Sequence, residues 1–537
     1  MTAIAPYRSG LATGRDGFAQ LLRAEWTKFR SVRGWVIGTF AGALLIVGLA
    51  AMTGANSECG SQDGPNAAVV LGCPAPPTGP GGGWVTDSFY FVHQPLAGKG
   101  TLTVRVTSLT GLYSTHGAAQ SGAAGSSATT GMTPGVQPWS KAGIMIKAST
   151  ARGSAYAAMM VTGTHGVRMQ WNFTGDTAGL AGTVSAASPR WLRLTRAGDV
   201  ISGYDSADGT HWTRVGTVTL TGLPATAQGG LFAASPGYSV TRNSLGGSSS
   251  TGGPTLATGA FDQVTRQGAW SAGPWAGTDI QGGKGAMDNA LDASAQGFTQ
   301  AGGRYTVSGS GDIAPSTGGG SKAIQQTLAG TFVGLVAMVV IGVMFMTAEY
   351  RRGLIRTTLT ASPRRGRVLA AKATVLGTVV FVAGLVAAVI AIPLGEHLLR
   401  GNGNPIEPVS LLTGARIVVG TAALLAVTAV LALAVGTLLR RSAGAVTAVI
   451  AGIVLPYLLA VLAGVLPLGA EEWLVRVTPA AGFAIQQSIP QYAQVIDNYT
   501  PASGYYPLAP WAGFGVLCAW AAAALVLATV ALRRRDA

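Results

Sequence analysis

One short segment concentrates side chains that could bind an ionic partner. Residues 349–372 hold seven basic residues and one acid. An arginine guanidinium can bind a carboxylate through two parallel hydrogen bonds, whereas a lysine acts as a point charge. The chemistry predicted here is therefore recognition of an acidic partner surface or of anionic lipid headgroups. The charged residues that we expect to form this surface are Glu349, Arg351, Arg352, Arg356, Arg364 and Arg365.

Other chemistries lack the residues that they need. A phosphate-binding Gly-x-x-x-x-Gly-Lys-Ser/Thr loop occurs nowhere in the sequence. The five histidines include no pair at metal-ligand spacing. Four acids could supply carboxylates to a glycosidase, but nothing in the sequence sets their separation: Asp87, Asp205, Asp208 and Asp262. The sequence therefore predicts a chain that is not itself an enzyme, with no catalytic residue, no metal site and no cofactor.

The charged segment lies between apolar runs that are long enough to cross a membrane. The chain is 48% hydrophobic and only 11% charged, which is typical of a membrane protein. About 20 apolar residues cross the hydrocarbon core as a helix. Pro456 lies within the fifth such run and predicts a local break in its hydrogen-bond ladder. The runs are Gly34–Thr53, Leu328–Thr347, Ala373–Leu394 (closing at Pro393), Ala415–Leu439, Ala443–Val465 and Trp511–Leu532.

The basic residues indicate which ends of these runs face the cytoplasm. The net charge is +15, but residues 54–327 hold 15 basic and 12 acidic residues and contribute only +3. Most of the remaining charge borders the apolar runs on one side, and short loops rich in Lys and Arg stay in the cytoplasm. This pattern predicts a multi-pass plasma-membrane protein with both termini cytoplasmic. The basic residues then border a lipid bilayer, and a nucleic acid is not expected as a partner.

The segment before the first run predicts a helix that lies along the membrane. Apolar residues recur there near one helical face, among basic residues: Phe18, Leu21, Leu22, Trp26 and Phe29. Residues 1–33 are therefore expected to form a cytoplasmic N-terminus with an interfacial amphipathic helix. A merely polar lead-in to the first run is the alternative.

Roughly 270 residues separate the first run from the second, which is enough for a domain outside the cell. Gly246–Gly253 has the composition of a linker. Cys59 and Cys73 could form a disulfide in an oxidising exterior, and two free thiols are the alternative. Short alternating apolar runs predict strands at Leu102–Val106, Ala142–Lys147, Tyr156–Val161, Trp191–Leu194, Thr213–Leu220 and Tyr305–Ser308.

Two phrases resemble the membrane subunits of actinobacterial type-2 ABC transporters. They are Leu22–Arg33 and Ala348–Arg367, where a Glu-Tyr-Arg-x-Gly phrase, a Thr-Leu pair and a Pro-Arg-Arg turn precede the next span. The resemblance covers roughly residues 18–53 and 328–537. It implies that residues 349–372 form a cytoplasmic loop that couples an exporter to a separate ABC ATPase. Two ATPase copies would serve two permease subunits, identical or paired, and Glu471–Gln491 would form a short re-entrant segment.

Three further phrases are similar to concanavalin-like, laminin-G-like jelly-roll sandwiches. They are Trp139–Lys147, Trp191–Leu194 and Tyr204–Trp212, and the similarity covers about residues 84–245. The chain is thus predicted to be an α-helical integral membrane protein with six transmembrane helices. A large all-β domain at 54–327 would lie outside the membrane between the first helix, at 34–53, and the five helices within 328–537.

A different class of protein also fits this arrangement. The chain could be a membrane-anchored receptor or glycan-binding protein that displays a lectin-like domain to cell-wall glycan or to a protein ligand. The charged loop favours the permease, because a simple anchor would not need it. The transported substrate is not indicated by any residue pattern.

Overall fold

A computed structural model describes residues 17–61, 70–71, 73–114, 132–244, 247–280, 295–317, 323–351, 353–354, 364–461, 469–496, 499–501 and 504–534. The α-helices in these ranges are α1 (Phe18–Ser31), α2 (Arg33–Ala55), α3 (Thr331–Arg351), α4 (Arg365–Gly401), α5 (Leu411–Leu439), α6 (Ser442–Val461), α7 (Ala470–Val477) and α8 (Pro510–Arg534). Ile324–Leu328 and Pro479–Gln486 form 3₁₀ helices.

The strands lie between α2 and α3. They are β1 (Gly60–Ser61), β2 (Val70–Leu71), β3 (Val85–Asp87), β4 (Phe89–Tyr113), β5 (Thr133–Pro134), β6 (Lys141–Lys147), β7 (Tyr156–Thr162), β8 (Val167–Trp171), β9 (Gly175–Ala178), β10 (Arg190–Ala197), β11 (Val200–Ser206), β12 (Thr213–Thr219), β13 (Thr226–Ala234), β14 (Tyr238–Ser244), β15 (Gly247–Gly253), β16 (Thr255–Trp270), β17 (Ala276–Ile280), β18 (Gly297–Ala301), β19 (Arg304–Gly309) and β20 (Ile313–Pro315).

The helices carry the features of membrane spans. Six helices in the described ranges are long and apolar enough to cross a bilayer. On α2, the side chains of Ile37, Phe40 and Leu44 are 65%, 72% and 72% exposed, a pattern that suits contact with lipid. The helices also pack closely: a Cβ added at Gly342 of α3 would lie 2.5 Å from the carbonyl oxygen of Ala429 on α5. These features confirm the prediction of a multi-pass helical membrane part.

The helix boundaries follow local chemistry, with one departure from the sequence prediction. The Ser410 hydroxyl accepts a hydrogen bond from the amide of Thr413 and so caps the start of α5. Arg440 ends α5 in the left-handed conformation. The prediction that the third span closes at Pro393 is wrong, because α4 continues through this proline to Gly401. A proline inside a membrane helix costs one backbone hydrogen bond, which packing against neighbouring helices can offset.

The long strand β4 organises the β region. Its first half pairs with β13 and β17, and its second half with β10 and β16, all antiparallel. Gly98, with φ +58°, lies between the two halves. The strands β6 to β9 extend the sheet beyond β13, whereas β11 and β12 extend it beyond β10. These two layers face each other: a Cβ at Gly203 would lie 2.6 Å from the sulfur of Met159.

Both faces of the central strands β6 and β7 are buried. One face contributes Ile144 and Met159 to the core between the layers. The other face places Lys141 and Lys147 in the interior, where each meets an aspartate. The predicted strand segments fall in observed strands, except that the segment predicted at Thr213–Leu220 ends at Thr219. Gly246–Gly253 is not a linker as predicted, since Gly247–Gly253 pairs with β14. Glycine and serine composition alone does not reveal an antiparallel hairpin partner.

Candidate functional site

The basic ends of several helices meet at one end of the bundle. The guanidinium of Arg365, at the start of α4, donates to the carbonyl oxygen of Leu532 near the end of α8, with an N···O distance of 2.5 Å. The guanidinium of Arg440, which follows α5, lies 5.2 Å from the ring centroid of Tyr350 near the end of α3. The short connection between α5 and α6 places the start of α6 at the same end. Arginines that are distant in sequence therefore form one surface.

This surface contains a recess of about 390 Å³ lined by Arg364, Arg365, Gly366, Arg367 and Arg533. Among these described lining residues there is no acid. Arg351 and Arg364 are exposed, while Arg365 is half-buried. Guanidinium groups at such a recess can bind carboxylates or phosphates. Arg352 and Arg356, which the sequence also assigns to this surface, lie outside the described residues.

Glu349 does not lie on this surface, although the sequence analysis places it there. Its side chain is buried, and its Oε1 accepts hydrogen bonds from Lys372 at 2.7 Å and from Lys28 at 3.1 Å. Both lysines also bind Glu25, Lys372 at 2.7 Å and Lys28 at 2.8 Å. We call Glu25, Lys28, Glu349 and Lys372 the charge cluster. It joins α1 to α3 and α4 and turns Glu349 towards the interior.

The charge cluster balances two acids against two bases in a largely buried place. Lys372 is completely buried, and its ammonium group lies 4.7 Å from the ring centroid of Phe345. A single buried charge would be costly, but alternating opposite charges stabilise one another. Burial alone would lower the pKa of Lys28, yet its hydrogen bond to Glu25 and the charges of Glu25 and Glu349 outweigh burial and raise it. The Lys28 side chain is therefore held in its charged form.

Packing of α1 explains how the charge cluster is positioned. The Phe29 ring lies 6.1 Å from the Trp35 ring and 5.7 Å from the Phe345 ring, measured between centroids. Glu25, one helical turn before Phe29, is thereby directed into the bundle. Trp26 points away and is 48% exposed, as an interfacial helix requires. The apolar periodicity predicts α1 but not its charged contacts.

One sequence signal could have revealed the cluster. Glu25 occupies a position on the same helical face as Leu22 and Phe29, where an apolar residue would otherwise be expected. Lys372 lies in the same way inside an apolar stretch of α4. An ionisable residue at such a position needs a partner. The sequence does not show that the partners come from a segment more than 300 residues away.

The other predicted residues lie away from the basic end. The structure joins Cys59 to Cys73, with a Cα–Cα distance of 5.6 Å. The four acids considered for a glycosidase take part in structural contacts. Each has its own structural partner: Lys147 for Asp87, the Leu180 amide for Asp205, His211 for Asp208 and Arg105 for Asp262.

The long apolar helices define a multi-pass membrane protein. A family model described as "ABC-2 family transporter protein" matches residues 240–537, which is more than half of the chain. The chain therefore belongs to the ABC-2 transporter family, whose members are membrane transport subunits. The match includes α3 to α8 and the later strands, while α1, α2 and most of the β region precede it. No curated protein matches the chain.

The solved structures that resemble this chain do so at low similarity. A functionally unknown protein from Saccharomyces cerevisiae is 15% identical over 35% of this chain and 77% of its own, with a TM-score of 0.20. Scytalido-glutamic peptidase is 9% identical over 43% of this chain and 100% of its own, with a TM-score of 0.24. The GH43 protein BlXynB from Bacillus licheniformis is 16% identical over 25% and 24%, with a TM-score of 0.17. Similarity at this level supports no assignment of activity.

Proposed function

We propose that the chain is the permease subunit of an ABC exporter and that its arginine-rich end docks a separate ABC ATPase in the cytoplasm. The observation that carries the proposal is the convergence of basic helix ends around the recess at Arg364 and Arg367. Because short basic loops are retained in the cytoplasm, this end of the bundle and both termini face inward. The coupling segment 349–372 then consists of the end of α3, its connection to α4 and the first two turns of α4, with Arg351, Arg364 and Arg365 as contact residues and Glu349 as a positioning residue.

The remaining parts of the proposal follow from this orientation. The β region, at about residues 54–327, lies outside the cell as a jelly-roll sandwich of the concanavalin-like kind, where it can bind wall glycan or a protein ligand. Two permease subunits, identical or paired, and two ATPase copies complete the transporter, because six helices are too few to enclose a two-fold path. The buried 3₁₀ helix Pro479–Gln486 and α7 form the re-entrant segment between the last two spans.

The coupling role is tested by a charge-conserving triple substitution. Replacing Arg356, Arg364 and Arg365 with lysine keeps the positive charge that governs insertion and lipid attraction. It removes the guanidinium groups, which can bind a carboxylate through two parallel hydrogen bonds. We expect the variant to insert normally while its association with the co-purifying ATPase, and the hydrolysis that association supports, fall. The matched control replaces Arg23 and Arg30, which are exposed on α1 at the same end, with lysine.

The outcomes of this test separate the two classes of protein. Loss of association only in the triple variant supports docking through the coupling loop. Full retention of association and hydrolysis in reconstituted membranes would refute docking and favour the membrane-anchored receptor. Orientation is checked separately with cysteines at the exposed positions Thr213 and Ser31. An impermeant thiol reagent should label Thr213→Cys but not Ser31→Cys in intact cells.

A further inference from the structure

A cavity of about 350 Å³ lies at the end of the bundle opposite the arginines. The residues around it come from the end of α2 at Thr53, the entry to α3 at Ala329, the end of α4 at Leu399 and the 3₁₀ helix at Phe483. Its volume is in the range of pockets that hold a small organic molecule. Under the proposed orientation it belongs to the outer half of the membrane part, just below the β region.

Three aromatic rings form one wall of this cavity. The Tyr457 ring centroid lies 4.6 Å from that of Phe483 and 5.4 Å from that of Phe332. Tyr457 directly follows Pro456, which interrupts the hydrogen-bond ladder of α6. Tyr506, which is buried, also lines the cavity. The wall therefore offers a stable apolar surface to a ring or chain.

Amide groups provide hydrogen bonds at the same cavity. The Gln486 Nε2 donates to the hydroxyls of Thr331, at 3.2 Å, and Thr421, at 3.0 Å, so the side chain is held in place. Its Oε1 accepts no hydrogen bond from the described residues. Gln326 is exposed at the cavity, and its side-chain amide makes no hydrogen bond within the described part of the chain. These groups are available to a ligand.

Hydrogen bonds hold the rim of the cavity in place. The Gln325 Oε1 accepts a hydrogen bond from the Ser488 amide at 2.7 Å, and its Nε2 donates to the Gly504 carbonyl at 3.3 Å. Gly504 has φ +87°, and a Cβ there would collide with Gln325. The Tyr505 hydroxyl donates to the carbonyl of Thr317, which belongs to the segment leading out of the β region. The loop that contains Gly504 and Tyr505 is thus held beside the cavity.

The electrostatics of the lining restrict the kind of ligand. The described residues that line the cavity include no Lys, Arg, His, Asp or Glu. An ion that entered would lose hydration without gaining a counter-charge, which is strongly unfavourable. An uncharged molecule pays a much smaller penalty and gains from both the rings and the amides.

We propose that this cavity binds an uncharged amphiphile. Its apolar part lies against Phe332, Tyr457 and Phe483, and its hydroxyl or carbonyl groups hydrogen-bond to Gln326 and Gln486. This inference rests on the proposed function, because it names the substrate class of the exporter. Binding itself needs no ATPase, so the two proposals can fail separately.

The test uses photo-crosslinking of the purified full-length chain in lipid nanodiscs. Three probes carry the same diazirine-bearing acyl chain: an uncharged monoacylglycerol, the anionic free fatty acid and the cationic primary amine. Peptide mass spectrometry should find the monoacylglycerol on peptides that contain Phe332, Tyr457 or Phe483. Labelling of these peptides by the monoacylglycerol should exceed labelling by either charged probe by about fivefold or more. This ratio corresponds to about 1 kcal/mol, the contribution of roughly one hydrogen bond, and desolvation of the charged probes would increase it.

Matched variants locate the labelling. Ala329→Trp fills the cavity and should abolish labelling of these peptides, whereas Val333→Trp adds the same side chain one helical turn away, at a position 41% exposed outside the lining, and should not. If Ala329→Trp does not fold, Gln326→Leu at an exposed position should lower monoacylglycerol labelling about fivefold. Equal labelling by the charged probes, or labelling that survives both Ala329→Trp and Gln326→Leu, would overturn the inference. Loss of selective labelling with intact ATPase coupling refutes this inference alone.

Discussion

Replacing Lys372 with methionine should release α1 from the helix bundle. Lys372 is the fully buried member of the charge cluster and binds the carboxylates of Glu25 and Glu349, each at 2.7 Å. Methionine preserves much of the side-chain volume but leaves both carboxylates with Lys28 as their remaining basic partner in the cluster. The cluster then changes from neutral to a net charge of −1 in a place with little water. Detachment of α1 is the simplest way for Glu25 to regain hydration.

The expected magnitude follows from burial. Removing one partner of a buried ion pair costs about 3–5 kcal/mol. Detachment of α1 relieves part of this cost, so we expect the free energy of opening α1 to fall by about 3 kcal/mol. Since about 1.4 kcal/mol corresponds to a factor of ten, amide hydrogen exchange within residues 18–31 should accelerate by about 10²-fold. Exchange in the β region, far from the cluster, should not change.

Hydrogen-exchange mass spectrometry of the full chain in nanodiscs measures this acceleration directly. Arg400→Met is the matched control, because Arg400 lies on the same helix, α4, and pairs with Glu396 at 2.9 Å. Its side chain is 60% exposed, so the pair should contribute about 0–1 kcal/mol and exchange should change by less than about fivefold.

A second variant checks that charge, and not shape, is responsible. Lys372→Met combined with Glu349→Gln leaves Glu25 and Lys28 as a neutral pair and should restore most of the protection of α1. Exchange in α1 that stays within about threefold of wild type in Lys372→Met, well below the expected 10²-fold, would refute the electrostatic account. So would a double variant that exchanges faster than the single one.

Three further predictions concern other parts of the chain. Mass spectrometry of a non-reduced digest should find Cys59 bonded to Cys73, and recovery of both as free thiols would contradict this. Burial raises the pKa of Glu407, between α4 and α5, from 4.5 to about 7, so the folded state binds its proton more tightly than the unfolded state does. Wild-type stability should therefore fall by on the order of 3 kcal/mol as pH rises from 4.5 to 7, and Glu407→Gln should lack this component in thermal unfolding. Gly342→Ala should lower the melting temperature by forcing α3 from α5, at a cost of about 1–3 kcal/mol, whereas Gly48→Ala, with no atom within 4 Å of the added Cβ, should not.

The membrane part could be predicted largely from the sequence because its signals are local. Hydropathy locates the spans, and the arginines at 351, 364 and 440 identify one end of the bundle. The predicted ends of the spans are wrong where contacts with distant segments override local preferences. Pro393 predicts the end of a helix, but the neighbouring helices keep α4 continuous to Gly401. Glycine and serine likewise predict a linker at 247–253, where pairing with β14 forms a strand.

The charge cluster and the cavity could not be predicted, because each depends on contacts between distant segments. Lys28 and Glu349 are 321 positions apart, and no periodicity relates them. The ring cluster likewise joins Phe332 of α3, Tyr457 of α6 and Phe483 of a 3₁₀ helix. Glu349 shows the consequence for a site prediction. Its place in a basic loop predicts an exposed contact residue, whereas its pairing with Lys372 makes it part of the interior.

Two helices connect the basic end with the cavity. The helix α3 carries Glu349 near one end and Phe332 near the other, while α4 carries Lys372 and, 27 residues later, Leu399 at the cavity. Each helix is a rigid element about 30–55 Å long. Under the proposed function, a force applied by an ATPase at residues 349–372 would therefore change the shape of the cavity where α3 and α4 shift against each other. The charge cluster binds both helices to α1 and opposes such a shift, so we expect its rearrangement to accompany any change in cavity shape during transport.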